Sequence, residues 1–441
     1  MVGFCVDFYQ VRGGYNFSGQ IKCGGAKNLS TKAIIATLLS DEISILDNIP
    51  NIGDVEVTKV LLKKIGVYFE FENGKMTISP NQINNFTIKP EHNILYGRLP
   101  ILLLAVLIHK NDSVSVPKLD GCKFGPRSTD FHFDILRKFG ISIQENEDNY
   151  IAKKTKKITG QNISLPFPSV GATEFALFIS VLAEGISVLE NIAAEPEIMC
   201  LIAMLQQMGA KIHWISHNKI VVEGVKKLHG VNYRIINDRI EMASWAVLAA
   251  CSDGVIDIET VDHIEWLSTF LGVFQRMGGG FKRIDNGIRF FKKGELKSIS
   301  IETGPYPAFS TDYQPMITLM MSQANGISSI HETLFEDRLS HLQNLKKFGV
   351  KSEIITKCIG SSCQFSNQNY YHSAFICGNT KLESPNQIIK SENLRSGITY
   401  LIAGCISKGI SKIGNTNLIT RGYENILEKF KLLNVDINLI K

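Results

Sequence analysis

One pattern limits what this chain can fold into more than any other: it repeats six times, with a period near 70 residues. Each copy has an apolar helix, a short polar or glycine turn and an alternating strand, as in Val181-Leu182-Ala183-Glu184-Gly185 before Ile186-Ser187-Val188-Leu189. The turns fall at Glu42, Asp112, Gly185, Gly254, Gly326 and Gly409, so successive copies are 70, 73, 69, 72 and 83 residues apart. A second marker, a helix ended by a glycine-like cap, keeps step at Gly66, Gly140, Gly209, Gly278, Gly349 and Asn434, with spacings of 74, 69, 69, 71 and 85. Two independent markers with one period argue against accident. The long last interval points to an insertion, assigned to the polar stretch Lys357 to Tyr371, which reads as a surface loop.

A repeat of this length exceeds the common solenoid periods of roughly 20–50 residues, so each copy is a β-α-β-α-β-type module. The first helix of each module is almost wholly apolar, as in Ile101 to Ile108, Phe175 to Leu182, Trp245 to Ala250 and Ile398 to Ile402. A helix apolar all round is buried on every side. The second helix is amphipathic, with Val57, Val60 and Leu61 set against Lys59, Lys63 and Lys64. Buried helices inside and sheets around them predict an inverted α/β barrel rather than a doubly wound sheet, and six modules make two domains of three.

The charges sit at one end of these helices. Fourteen residues before each turn stand Asn28, Arg98, Gly171, Ile240 (flanked by Arg239 and Glu241), Asp312 and Arg395. Thirteen before the second cap stand Arg127 and Arg421. Any one of these could simply cap a helix. Arginine is a poor N-cap, however, and opposes the helix dipole unless an anion sits there, so the set predicts an anion site at helix N-termini.

Composition removes several classes. The net charge of +5 is dispersed and carries no basic stripe interleaved with aromatics, so a nucleic-acid binder is not expected, whereas a small anionic substrate is. The longest apolar run, Leu99 to Ile108, is half of the roughly 20 residues a membrane span needs, so no membrane insertion is expected. Met1 to Tyr9 shows no secretory leader. Nine scattered cysteines without a CxxC pair, Cys358 and Cys363 being the closest two, suggest a reducing compartment and neither a disulfide framework nor a zinc site.

Specific motifs then follow in order: Gly24-Gly25-Ala26-Lys27-Asn28, Arg98, Gly121-Cys122-Lys123-Phe124-Gly125-Pro126-Arg127-Ser128-Thr129-Asp130-Phe131-His132, Ser169-Val170-Gly171-Ala172-Thr173-Glu174 and Ala194-Glu195-Pro196-Glu197. Later come Asp238-Arg239-Ile240-Glu241, Gly304-Pro305-Tyr306-Pro307 with Thr311-Asp312, Phe335-Glu336-Asp337-Arg338, Leu394-Arg395 and Arg421-Gly422-Tyr423-Glu424. Spread over nearly the whole chain, this set resembles the enolpyruvyl transferase family, in its peptidoglycan branch, the UDP-N-acetylglucosamine 1-carboxyvinyltransferases.

The resemblance implies two inside-out α/β barrel domains, each of three β-α-β-α-β-β repeats, with the active site in the interdomain cleft. It places the first domain at 22–235 and the second at 1–21 with 236–441. It also implies transfer of the enolpyruvyl group of phosphoenolpyruvate to the 3-hydroxyl of UDP-N-acetylglucosamine, with release of phosphate. The expected setting is cytoplasmic, with no cofactor or metal and a monomer or weak homo-oligomer. By the same likeness Lys27, Arg127 and Arg421 hold the phosphoenolpyruvate anion, with Arg395 and Arg338 nearby. Asp312 is the general-base candidate, and Cys122 is the proton donor and the group alkylated by fosfomycin. The nucleotide sugar would meet Asn28, Arg98, Arg127, Ser128, Thr129, Asp130, Phe131, Phe167, Pro168, Ser169, Val170, Asp312 and Leu334. His132 could be a contact or a packed imidazole.

Cys122 has residue-level support of its own. It lies between Gly121 and Gly125 beside Lys123 and Arg127, conditions that favour a thiolate and access. Phe167 stands where the family usually has a lysine, and Gly397 where a less flexible residue is common. The rival expectations are 5-enolpyruvylshikimate-3-phosphate synthase, which shares the chemistry, and a non-catalytic nucleotide-sugar-binding paralogue.

Overall fold

The computed structural model describes residues 7–91, 94, 96–119, 129–260, 264–361 and 363–441. They form two compact units, one of residues 25–236 and one of the chain up to residue 24 together with 237–441. Each unit contains three small sheets, six in all among the described residues, one for each repeat.

The third repeat shows the design. Strand Asn162–Ser164 leads into helix Val170–Ser180, and strand Ile186–Glu190 returns parallel to the first. Helix Pro196–Gln207 follows, and the hairpin of Lys211–Ser216 and Lys219–Glu223 completes the sheet antiparallel to Ile186–Glu190. The parallel step forces a crossover, and the crossover helix is the apolar one. Three strands come from outside the repeat whose sheet they join. Phe8–Gly13 lies antiparallel between Gly409–Gly414 and Asp436–Ile440. Gly19–Lys22 pairs parallel with Val255–Glu259, and Asn232–Arg234 pairs parallel with Ser44–Asp47. That exchange ties the N-terminal strands to the second unit.

The crossover helices form the two interiors. In the unit of 25–236, every residue of Leu99–Leu107 is buried, and this helix packs on both Lys27–Thr37 and Val170–Ser180. In the other unit Arg239–Cys251, Gln314–Gln323 and Leu394–Ile406 pack on one another. The outer helices carry the second sequence marker. Gly66, Gly140, Gly209, Gly278, Gly349 and Asn434 all adopt positive φ, between 63° and 101°, directly after those helices, where glycine and asparagine tolerate the left-handed turn best. No helix among the described residues is long and apolar enough to cross a membrane.

The insertion joins strand Lys351–Ile355 to strand Ser373–Cys377, which pair antiparallel. It is more than a polar surface loop. Phe365 within it is 3% exposed and packs against Tyr370 and His372.

Candidate active site

In the unit of 25–236 two of the three apolar helices begin with charge, at Lys27 and Arg98. Lys27 is the first residue of its helix, and its Nζ lies 2.8 Å from Asp54 Oδ2. Asp54 stands in the first turn of Gly53–Lys64, where the dipole favours a carboxylate. The predicted phosphate cation is thus held by an acid in this structure. Further along, Lys32 Nζ lies 4.0 Å from Glu174 Oε1 in the second turn of Val170–Ser180. Burial pushes Glu174 up to about 7; Lys32 and Lys27 oppose the shift, while Glu195 and Glu197 add to it.

Arg98 is the N-cap of Leu99–Leu107. It lies close enough to His132 to add to the effect of burial, which pulls that imidazole down to about 3. His132 packs edge-on against Phe175 at 5.2 Å, so it is a packed ring. Thr129 caps the helix Asp130–Lys138, with Asp130 exposed and Phe131 half-buried. Phe167, Pro168, Ser169 and Val170 are half-buried at the next helix start, where the Ser169 hydroxyl accepts from the Ala172 N–H at 3.4 Å. Asn28 is the second residue of its helix and half-buried. Cys122, Arg127 and Ser128 lie outside the described residues.

The other unit assembles a tighter constellation. Asp312 sits in a single turn of 3-10 helix ahead of Gln314–Gln323, and the Ser310 hydroxyl accepts its N–H at 3.3 Å. Its carboxylate accepts from Arg338 Nη2 at 3.0 Å and from Arg395 Nη2 at 3.4 Å. Both arginine side chains are 4% exposed, whereas that of Asp312 is 29% exposed. A buried cation needs such a partner. Burial disfavours the Arg395 charge, yet Asp312 and Tyr423 outweigh it and hold the guanidinium above its ordinary value.

Arg395 is set by its surroundings. Asn393 and Ser396 form a capping box at the start of Leu394–Ile406, which fixes the backbone from which Arg395 projects. Its Nη1 donates to the Tyr423 hydroxyl at 3.3 Å, and that oxygen lies 3.0 Å from Ser244 Oγ. Burial pushes Tyr423 up to about 12, so it stays a neutral phenol beside the cation. Gly397 has a steric reason. A Cβ there would stand 2.5 Å from Ile419 Cγ1 and 3.0 Å from Ser391 Oγ.

Leu334 joins this constellation through a fully buried acid. Glu332 accepts the Leu334 and Phe335 N–H groups at 2.9 and 3.3 Å, and the Thr311 hydroxyl at 2.8 Å. It therefore links the residue before Asp312 to the predicted sugar contact. Arg239 forms a second cation–phenol pair, with Nη1 2.6 Å from the Tyr313 hydroxyl.

Six of the positions counted back from the turns stand at apolar helix starts, including Arg98, Asp312 and Arg395. Arg421 does not. It follows the short helix Thr416–Thr420 at its C-terminal end, where the dipole favours a cation, so no bound anion is needed to explain its charge. The sequence reading missed roles for Tyr423, Glu332, Lys32 and Glu174. Glu174 and Tyr423 lie inside the motifs of residues 169–174 and 421–424, but nothing in a linear motif shows that their side chains turn inward.

This architecture recurs in solved proteins. The structure aligns with the enolpyruvyl transferase NikO from Streptomyces tendae at a TM-score of 0.85 and 18% identity, covering 99% of each chain. It aligns with EPSP synthase from Acinetobacter baumannii at 0.74 and 18%, covering 99% of this chain and 100% of that one. At such identity the likeness establishes the fold, two inside-out α/β units of three repeats each. The family described as EPSP synthase (3-phosphoshikimate 1-carboxyvinyltransferase) matches residues 11–430, which sets the broad class. Curated relatives narrow it. The UDP-N-acetylglucosamine 1-carboxyvinyltransferase of Protochlamydia amoebophila is 36% identical, covering 99% of this chain and 95% of that protein. Those of Chlamydia muridarum and Halothermothrix orenii are 37% and 33% identical, covering 97% and 98% of this chain. The chain belongs to the enolpyruvyl transferase family, in the branch of the UDP-N-acetylglucosamine 1-carboxyvinyltransferases.

Proposed function

We propose that this protein transfers the enolpyruvyl group of phosphoenolpyruvate to the 3-hydroxyl of UDP-N-acetylglucosamine and releases phosphate, the entry step of peptidoglycan synthesis. The observation that carries this reading is the Asp312 carboxylate held between two buried guanidiniums, in a chain about a third identical to transferases of that name.

Asp312 takes the proton of the sugar hydroxyl, whose oxygen then attacks C2 of phosphoenolpyruvate while C3 gains a proton from Cys122. Loss of a proton from C3 and of phosphate from C2 completes an addition and elimination. Arg395 is the looser partner of Asp312, at 3.4 Å against 3.0 Å for Arg338. An arriving phosphate or carboxylate competes for Arg395 and frees Oδ2 to act as the base. Lys27, Arg127 and Arg421 supply further positive charge to the anion, Lys27 by exchanging Asp54 for it, and fixed cations stabilise the charge of the tetrahedral intermediate. Asn28, Arg98, Thr129 to Phe131, Phe167 to Val170 and Leu334 are the candidate contacts of the nucleotide sugar. A proton-donating Cys122 must stay reduced, which suits the cytoplasm.

The test is phosphate release by the purified chain. Release only when phosphoenolpyruvate and UDP-N-acetylglucosamine are both present supports the reading. Release with shikimate 3-phosphate in place of the nucleotide sugar, or with neither acceptor, overturns it.

A further inference from the structure

The insertion brings together four side chains that no part of the proposed reaction uses. His331 ends the strand Ile327–His331, Cys358 and Cys363 lie in the loop, and His372 stands just before the strand Ser373–Cys377. One ligand-type atom from each lies within 4.8 Å of all the others. Cys358 Sγ is 3.7 Å from Cys363 Sγ and 3.3 Å from His372 Nε2. A tetrahedral zinc ion with Zn–S near 2.3 Å and Zn–N near 2.0–2.1 Å requires S···S edges of about 3.8 Å and S···N edges of about 3.5 Å. Those two edges match, and the remaining pairs lie within 4.8 Å, so a small inward shift of the side chains would close the tetrahedron.

Both imidazoles are oriented as zinc ligands are. His331 Nδ1 lies 3.1 Å from Glu302 Oε2, and His372 Nδ1 lies 2.7 Å from the Tyr370 carbonyl oxygen. An acceptor at Nδ1 fixes the proton there and leaves the Nε2 lone pair for a metal. His331 is 1% exposed, and its buried Nε2 has no hydrogen-bond partner among the described residues. A buried nitrogen left so is costly unless something fills the position. Glu302 is itself braced, since it accepts the Ser361 N–H at 2.7 Å. A Cβ on Gly360 would come within 2.1 Å of Glu302 Oε2 and 2.9 Å of His331 Nδ1, so glycine permits the loop to close over this pair. The Phe365 N–H points at Cys363 Sγ at 3.4 Å, a contact that suits a thiolate.

We propose that His331, Cys358, Cys363 and His372 bind one zinc ion through two thiolates and two imidazoles. Four protein ligands leave no open position, so the ion is structural rather than catalytic. A soft, tetrahedral S₂N₂ set selects zinc over harder divalent cations. The ion clips the insertion to the ends of the two inner strands of its sheet. The clip reaches the Leu334 segment, because Gln364 Nε2 donates to the Thr333 and Leu334 carbonyls at 3.2 and 3.1 Å.

The experiment uses the untagged full chain, purified without chelator, and reads metal content rather than turnover. We expect about one zinc per chain. Replacing it with cobalt(II) should give the intense visible bands of a tetrahedral site and a thiolate charge-transfer band. Cys358→Ser combined with Cys363→Ser should lose both the zinc and the charge-transfer band, whereas Cys251→Ser keeps them. A wild-type chain that carries no zinc and gives only octahedral cobalt spectra overturns the proposal. So does a Cys358–Cys363 disulfide in the freshly purified protein. If the double variant fails to fold, the wild-type cobalt spectrum decides alone.

Discussion

Asp312→Asn tests the proposed base most directly, because it keeps the side chain's shape and removes its charge. The carboxylate now serves Arg338 at 3.0 Å and Arg395 at 3.4 Å, both cations with 4% exposed side chains. Removing one partner of a fully buried pair costs about 3–5 kcal/mol, since the surviving charge is left uncompensated. Asp312 is 29% exposed, so water screens much of that penalty, and about 1–2 kcal/mol is the appropriate scale. An amide also still accepts from one guanidinium. A loss of that size lowers Tm by about 2–8 °C in a unit of this length. The loss of the base is far larger. A positioned general base contributes about 10²–10⁴-fold, so kcat for phosphate release falls by that factor. KM for phosphoenolpyruvate stays level or drops, because a negative charge beside the anion has gone. Thermal melts and phosphate release at saturating substrates read the two effects separately. A folded Asp312→Asn protein with kcat within about tenfold of the unmodified chain would refute Asp312 as the base.

Glu174 gives a pH prediction. The folded protein holds its proton up to about pH 7, whereas the unfolded chain releases it near 4.5, so the folded state binds more protons between those values. Stability therefore falls as pH rises through that window, by about 3 kcal/mol over the full shift. Glu174→Gln should flatten the fall in Tm between pH 5 and pH 8, and an unchanged slope would contradict the assignment. Gly397→Ala forces a methyl to 2.5 Å from Ile419 Cγ1 and should cost about 1–3 kcal/mol in denaturant melts; an equally stable variant would show that the helix start shifts freely. Cys122→Asp should keep phosphate release but escape fosfomycin, and continued inhibition of that variant would remove Cys122 as the alkylated group.

The fold was legible because burial leaves a periodic trace. A helix such as Leu99–Leu107, enclosed on all sides, must be apolar at every position, and its polar head then marks where it starts. The left-handed caps at Gly66 through Asn434 are also local requirements, set by backbone sterics rather than by tertiary context. The candidate site was legible only in part. Asp312, Arg395 and Arg98 were found because they break the apolar pattern of their helices. Arg421 broke an equivalent count but stands after a five-residue helix, since the last repeat replaces one long outer helix with two short ones, Thr416–Thr420 and Ile426–Leu432. Tyr423 and Glu332 left no trace of that kind, because their roles depend on partners 28 and 21 residues away in sequence, Arg395 and Thr311.

The insertion follows the same logic in reverse. Its presence was readable from the two long final intervals, but its content looked like solvated loop because asparagine, glutamine and serine dominate it. Metal motifs are recognised by close pairs such as CxxC, and here the four ligand residues span 331 to 372 with four residues between the cysteines. The pairing of two inner strands supplies the missing proximity. His331 and Ser373, the residue after His372, are register partners across antiparallel strands, so the fold brings two histidines 41 positions apart to neighbouring places. The loop between Ile355 and Ser373, which are also register partners, brings both cysteines within 4.8 Å of them. An inserted loop with few apolar residues has little core of its own to offset its ordering entropy. Cross-linking it to a strand already fixed by the repeat is the physical means by which so polar a segment can hold Gln364 against the Leu334 backbone.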